Sequence, residues 1–252
     1  MWLSILIYSL LVLSSLLFCL IFGLPYLLSL ALPERLRGRV IRYIILVYGR
    51  MIVYVAMRPC IRVRFEDLSG GQRRPGIYVF NHRSSSDPFL VSVLGEEIVQ
   101  IVNGWPMRLK FYGYFARLGE YIDSTAGDYA SFAAQIRMLN ERGVSIVAFP
   151  EGTRSGGRHM NAFRSGIFHL ARELRLPIYP GCIAGNEEMP TRRFKFKKSG
   201  TIMVRLLPPI LPAEQDQFPS AYALKIAVHR RIRQETAKMD KELDDAVIQP
   251  GK

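Results

Sequence analysis

Charge is missing altogether from Trp2 to Leu32, a leucine- and isoleucine-rich stretch long enough to cross a bilayer, which takes about 20 apolar residues. Cysteine is scarce: Cys19, Cys60 and Cys182 are odd in number and far apart, with no CxxC and no His/Cys ligand spacing. That usage argues for a reducing compartment and against a structural zinc site. A GxSxG nucleophile elbow is also absent, which speaks against a serine-nucleophile mechanism. Neither internal repeats nor low-complexity linkers interrupt the chain. Acidic residues are in short supply, 21 Asp+Glu against 34 Lys+Arg, and the resulting +13 favours anionic lipid surfaces, phosphorylated substrates or nucleic acid without choosing among them.

At 252 residues the chain can bury one sizeable core and still carry a membrane-associated extension. The natural division is a membrane-anchoring helical segment over 1–58 and an α/β domain over 59–252. A cleaved signal peptide is the alternative for the first stretch, with Ser29-Leu30-Ala31 as a faint cleavage site. The apolar part is too long for an ordinary h-region, and no basic n-region precedes it. Gly23 and Pro25 can kink it, so a hairpin or a tilted, partly embedded helix is open as well. Arg35, Arg37, Arg39 and Arg42 follow at once, and basic residues beside a membrane segment mark the cytoplasmic side. Val40 to Met57 is apolar but carries Arg42 and Arg50, with Arg58 next, the pattern of an interfacial helix with snorkelling arginines.

From Ile61 onward apolar runs of strand length alternate with helical patterns. Gly76–Phe80, Ile98–Val102, Val144–Phe149, Ile178–Ala184 and Thr201–Leu207 read as strands, whereas Tyr129–Arg142, stopped by Gly143, and Phe163–Leu174 read as amphipathic helices. The tail from Ser220 to Asp245, with Ile226, Val228 and Ile232, reads as a charged surface helix. Such alternation implies an α/β fold with a mixed central sheet flanked by helices.

Two loops at strand ends carry the chemistry. In Asn81-His82-Arg83-Ser84-Ser85-Ser86-Asp87 a histidine and a carboxylate stand five positions apart. On a regular helix they would point roughly 140° away from each other, so they cooperate only across a loop. An imidazole pinned by a carboxylate is a good general base for a hydroxyl. Against this, Asp87 directly before Pro88 and an apolar run is what a helix N-cap looks like. In Phe149-Pro150-Glu151-Gly152-Thr153-Arg154, Gly152 permits close approach or positive φ and Arg154 offers a forked donor for phosphate. Glu151 could hold that arginine or a substrate hydroxyl, unless the loop is an ordinary turn with a surface ion pair.

Taken together, NHxxxxD at 81–87, FPEGTR at 149–154 and an apolar strand carrying Pro180 resemble the lysophosphatidic acid acyltransferase family from about Tyr78 to Leu207. The resemblance implies that His82, oriented by Asp87, deprotonates an acceptor hydroxyl that attacks a thioester. Glu151, Gly152, Thr153 and Arg154 would bind substrate, and Ser84, Ser85 and Ser86 would shape the turn. The donor would be acyl-CoA or acyl carrier protein, the partners membrane lipids, with no cofactor, metal or nucleic acid, and the acceptor 1-acylglycerol-3-phosphate. Two departures stand against that acceptor. Where the family's intermediate motif usually ends in arginine, Gly119–Ser124 ends in serine, and where relatives often carry a lysine, alignment to Gly113 places Asn103. Arg117, Lys110 and Arg108 are the candidates to compensate; otherwise the acceptor is a different lyso-lipid or hydroxylated lipid. A membrane adaptor without catalysis and a hydrolase are the rival functions. The basic, aromatic segment Arg192–Lys198 reads first as a lipid or carrier contact, then as a solvated edge, and last as a nucleic-acid patch.

Overall fold

The structure is a computed structural model and describes residues 1–71 and 73–248. Its centre is a seven-stranded sheet. The strands are β1 (Ile61–Asp67), β2 (Ile77–Phe80), β3 (Ile98–Val102), β4 (Ile122–Asp123), β5 (Ser145–Ala148), β6 (Ile178–Ala184) and β7 (Gly200–Leu206), in the order β1-β7-β6-β2-β5-β3-β4. All neighbours pair parallel except β6 and β7, which run antiparallel over Gly181–Ala184 and Met203–Leu206. Every residue of β2, β5 and β6 is buried, as expected of parallel strands covered on both faces. All five strands expected from the sequence are present. β1 escaped notice because it is an edge strand with arginines at alternate positions, and β4 is too short to show a period.

Alternate residues of β2 feed two cores. Ile77 and Val79 face α6 (Tyr129–Glu141), α7 (Gly166–Glu173) and, after the short α8 (Pro212–Gln215), α9 (Ala221–Ile248) through Ile136, Phe168, Leu224 and Val228. Tyr78 and Phe80 face the opposite side, where Leu90 and Leu94 join residues of the N-terminal helices, Ile7, Ile52 and Val53. The Asp128 carboxylate starts α6 by accepting the Ser131 N–H at 2.9 Å, and Gly143, at φ +84°, turns the chain after it. α9 is more than a surface helix: Leu224, Val228, Ile232 and Met239 are fully buried, whereas Ile226 faces outward. Burial pushes the Cys182 thiol far above its ordinary range, which keeps it inert.

The N-terminal region is a helical hairpin, α1 (Trp2–Ser29) and α2 (Glu34–Met51), closed by a π-helical turn at Ile52–Ala56. α1 is long and apolar enough to cross a membrane. It is nonetheless tied to the rest of the protein near both ends. The Tyr8 hydroxyl donates to Phe194 O at 2.7 Å and Ser4 Oγ accepts the Phe196 N–H, while the Tyr26 and Tyr114 hydroxyls pair at 2.7 Å. Its other face exposes Leu13, Leu16, Leu20 and Leu24. On α2, Arg50 lies over the Tyr54 ring, but Arg42 does not snorkel. It is buried and bonded to Glu97 at 2.7 and 2.9 Å and to Glu120, which also binds Arg142 at 3.0 Å. An arginine inside an amphipathic pattern turns inward when two carboxylates await it, and here they come from the segments before β3 and β4.

Candidate active site

β2, β5, β3 and β4 are mutually parallel, so the loops that leave their C-terminal ends gather at one edge of the sheet, where open α/β sheets bind ligands. Those loops begin at Asn81, Phe149, Asn103 and Ser124. The Asn81 amide continues the pairing of β2 with β6, donating to Ile183 O at 2.9 Å and accepting the Ile183 N–H at 2.8 Å, which fixes where His82 emerges.

His82 Nδ1 lies 2.7 Å from Asp87 Oδ2. The Asp87 carboxylate has no solvent exposure and also accepts the N–H groups of Arg83 (2.7 Å) and Ser84 (2.9 Å) and a hydrogen from Asn186 Nδ2. A carboxylate so surrounded by donors is acceptor-only, so the network assigns the histidine proton to Nδ1 and leaves a lone pair on Nε2. Among the described residues Nε2 has no hydrogen-bond partner. The imidazole rests against the Phe149 ring, centroids 4.8 Å apart. Asp87 is not the N-cap that Pro88 suggested: the short helix α3 (Asp87–Leu90) is preceded by Ser86, and the Asp87 side chain turns back onto the loop before it. Ser84 Oγ donates to Pro190 O at 2.7 Å and Ser86 Oγ accepts from Asn186, so both hydroxyls are engaged in the turn. Arg83 is buried behind the site in a bidentate pair with Asp240 of α9 at 2.6 and 2.7 Å.

The second loop is laced to the first. Ser155 N–H donates to His82 O at 2.8 Å and Gly156 N–H to Arg83 O at 3.1 Å. Glu151 holds neither Arg154 nor open solvent. Its Oε1 accepts the His82 N–H at 2.7 Å and its Oε2 the Asn161 N–H at 2.8 Å, because two backbone donors converge on its buried position. Burial raises its pKa to about 7, against the pull of those two N–H groups. Gly152 adopts φ +73°, as its sequence position foretold, and the guanidinium of Arg164 lies beside it. Thr153 is exposed, and its carbonyl accepts from Asn161 Nδ2 at 3.3 Å. Arg154 is turned toward the connection between β6 and β7. It donates to Arg192 O at 2.9 Å, receives the reciprocal bond from Arg192 at 2.8 Å, and stacks on Phe194 at 4.7 Å. The Arg192–Lys198 segment thus joins the FPEGTR loop to α1, with Phe196 buried against Tyr8 and Lys195 and Lys197 outside.

The other two loops are spent locally. Asn103 Oδ1 accepts the Gly104 N–H at 2.8 Å, starting α4 (Gly104–Met107), and Ser124 is exposed, its N–H bound to Val102 O at 2.9 Å. Arg117, on α5 (Lys110–Leu118), donates to Met107 O at 2.8 Å and lines a cleft of about 330 Å³ with Tyr121 and Asp123. Arg108 and Lys110 are exposed, and no hydrogen bond or ion pair among the described residues joins them, or Arg117, to His82, Asp87 or Glu151. Reasoning from sequence missed Asn186, Asn161, Asp240 and Arg164. Asn186 and Asp240 lie far from the motifs they serve, whereas Asn161 and Arg164 share the segment that follows the FPEGTR loop.

An imidazole held by a carboxylate at a strand end, with a second loop laced to it and a hairpin of apolar helices alongside, is an arrangement able to take a proton from a hydroxyl. Residues 61–184 match the family model described as Acyltransferase. The 1-acyl-sn-glycerol-3-phosphate acyltransferase of Salmonella typhimurium strain LT2 is 28% identical over 175 residues, covering 66% of this chain and 69% of that protein. The beta form of Homo sapiens is 30% identical over 169 residues, covering 64% and 60%. The crystal structure of the 1-acyl-sn-glycerophosphate acyltransferase PlsC from Thermotoga maritima has the same fold, with a TM-score of 0.74 over 94% of this chain and 95% of that one, at 19% identity. The chain carries an acyltransferase domain, is similar over about two thirds of its length to 1-acyl-sn-glycerol-3-phosphate acyltransferases, and is an O-acyltransferase.

Proposed function

We propose that this protein moves a fatty acyl group from a thioester, acyl-CoA or acyl carrier protein, to the free hydroxyl of 1-acylglycerol-3-phosphate, giving phosphatidate at a membrane surface. The observation that carries the reading is the His82–Asp87 pair, with Nδ1 held at 2.7 Å and Nε2 without a hydrogen-bond partner among the described residues. Nε2 takes the hydroxyl proton as the oxygen attacks the thioester carbonyl, and Asp87 stabilises the imidazolium. As the tetrahedral intermediate collapses, the C–S bond breaks and the thiolate leaves, recovering its proton from His82. No covalent enzyme intermediate and no cofactor are needed. Glu151 serves by fixing the His82 backbone, and residues 1–58 serve as the anchor.

The ties of α1 near both ends support an in-plane anchor. A helix of 28 residues is about 42 Å long, and crossing the roughly 30 Å hydrocarbon layer would carry one end away from its partner residues. Its outward leucines would sit among acyl chains, with Arg35, Arg37 and Arg39 at the head groups of the cytoplasmic leaflet. Neutral Asn103 and Ser124 favour a second acceptor, a lyso-lipid without a phosphomonoester. The test is product analysis by mass spectrometry with a panel of lyso-lipids and both donors. Phosphatidate formation by the wild type, lost by about 10²–10⁴-fold in a folded His82→Ala variant, is the expected result. Acylation of only non-phosphate acceptors overturns the acceptor assignment, and transfer that survives His82→Ala overturns the mechanism.

A further inference from the structure

Resting on the reading that the acceptor is 1-acylglycerol-3-phosphate, we infer that Arg164 binds the acceptor's phosphate and supplies the cation that Asn103 and Ser124 do not. The side chain lies against the FPEGTR loop: an ideal Cβ built on Gly152 would meet Arg164 Cζ and Nε at 3.0 Å and Nη2 at 3.1 Å, so the guanidinium takes the place of a side chain there. The Arg164 N–H donates to Pro150 O at 2.9 Å, which registers its backbone to the same loop. One residue before Gly152, Glu151 accepts the His82 N–H, so the loop against which Arg164 lies is the one that holds His82.

Four arginines near these two loops are committed elsewhere. Arg83 is bound bidentately by Asp240, Arg158 by Asp244 at 2.7 Å through each nitrogen, and Arg154 and Arg192 by each other's carbonyls. Among the described residues Arg164 makes no ion pair and no side-chain hydrogen bond, and it is exposed. Among the described residues no ion pair joins it to Glu151, whose two oxygens accept the backbone N–H groups of His82 and Asn161. A free planar guanidinium offers a phosphomonoester two parallel N–H bonds, which a phosphate-free headgroup cannot use.

Binding is measured on the full-length protein in detergent micelles, in a His82→Ala background so that the probe is not consumed. The probes are 1-acylglycerol-3-phosphate and uncharged 1-monoacylglycerol of the same chain length. The expected preference for the phosphate-bearing probe is about ten- to a hundredfold. Arg164→Gln should reduce that preference to about threefold or less, Arg164→Lys, a point charge without the fork, should keep part of it, and neither should move monoacylglycerol binding. No preference in the background protein, an unchanged preference in Arg164→Gln, or an equal loss for both probes overturns the assignment. Wild-type turnover separates the two readings. If no phosphatidate forms yet Arg164→Gln abolishes selective binding, the acceptor reading fails and Arg164 stands; if phosphatidate forms and Arg164→Gln changes nothing, the reverse holds.

Discussion

In the loop after β2 nearly every polar side chain is buried and bonded to a distant part of the chain, whereas the loops after β3 and β4, at the same edge of the sheet, are exposed and bond within their own neighbourhood. Asp87 takes four donors, and Arg83 and Ser84 each reach other segments. Asn103 caps four residues of helix, and Ser124 offers one backbone bond. The difference is one of constraint. The proposed proton transfer demands a fixed distance and a fixed tautomer, which burial enforces. The exposed loops make few bonds to the rest of the chain, so they can change residue type with little cost to the fold.

The strongest way to break this contrast is to remove the anchor behind the β2 loop. Asp240→Ala leaves the buried Arg83 with Glu187, at 3.6 Å, as its remaining carboxylate, which should cost up to about 3–5 kcal/mol in denaturant unfolding, with activity falling alongside. A cost below about 1 kcal/mol would mean that burial does not hold this loop. Next comes the acid–base behaviour of Glu151. Its carboxyl is raised from an ordinary 4.5 to about 7, so the folded state binds the proton more tightly than the unfolded chain does. That contribution is fully present below pH 4.5, fades as pH rises to about 7 and is absent above it. Relative to Glu151→Gln, the wild type should therefore lose about 3 kcal/mol over that range and nothing further above it. A difference that does not vary with pH would show an ionised carboxylate throughout. The smallest effect belongs to the exposed side: Asn103→Ala should lower stability by about 1 kcal/mol or less, the worth of a helix cap, and leave the rate of acyl transfer nearly unchanged. A large loss of rate there would move Asn103 into the reaction and erase the distinction.

What could be read from the sequence was whatever is local. The apolar runs of β2, β3, β5, β6 and β7 announced themselves, and His82 and Asp87 fall within one short motif. Partners did not, since Asn186 meets Asp87 across 99 positions and Asp240 meets Arg83 across 157. The same blindness explains two misplacements. Arg42 looked like a snorkelling residue until Glu97 and Glu120 were seen to enclose it, and Glu151 looked like a partner for Arg154 until the His82 N–H was seen to occupy it. α9 was expected as a helix, but its buried face depends on which surface it packs against, and its own pattern does not contain that.

The bond between Arg83 and Asp240 also orders events during synthesis. Residue 83 leaves the ribosome long before residue 240, and the first strand, β1, likewise finds its parallel partner only in the last, β7. Domains fold as units once their segments are available, so the histidine loop stays without its rear support until almost the whole chain has emerged. Under the proposed anchoring, α1 and α2 are synthesised ahead of these partners and are available to a lipid surface before His82 has its support.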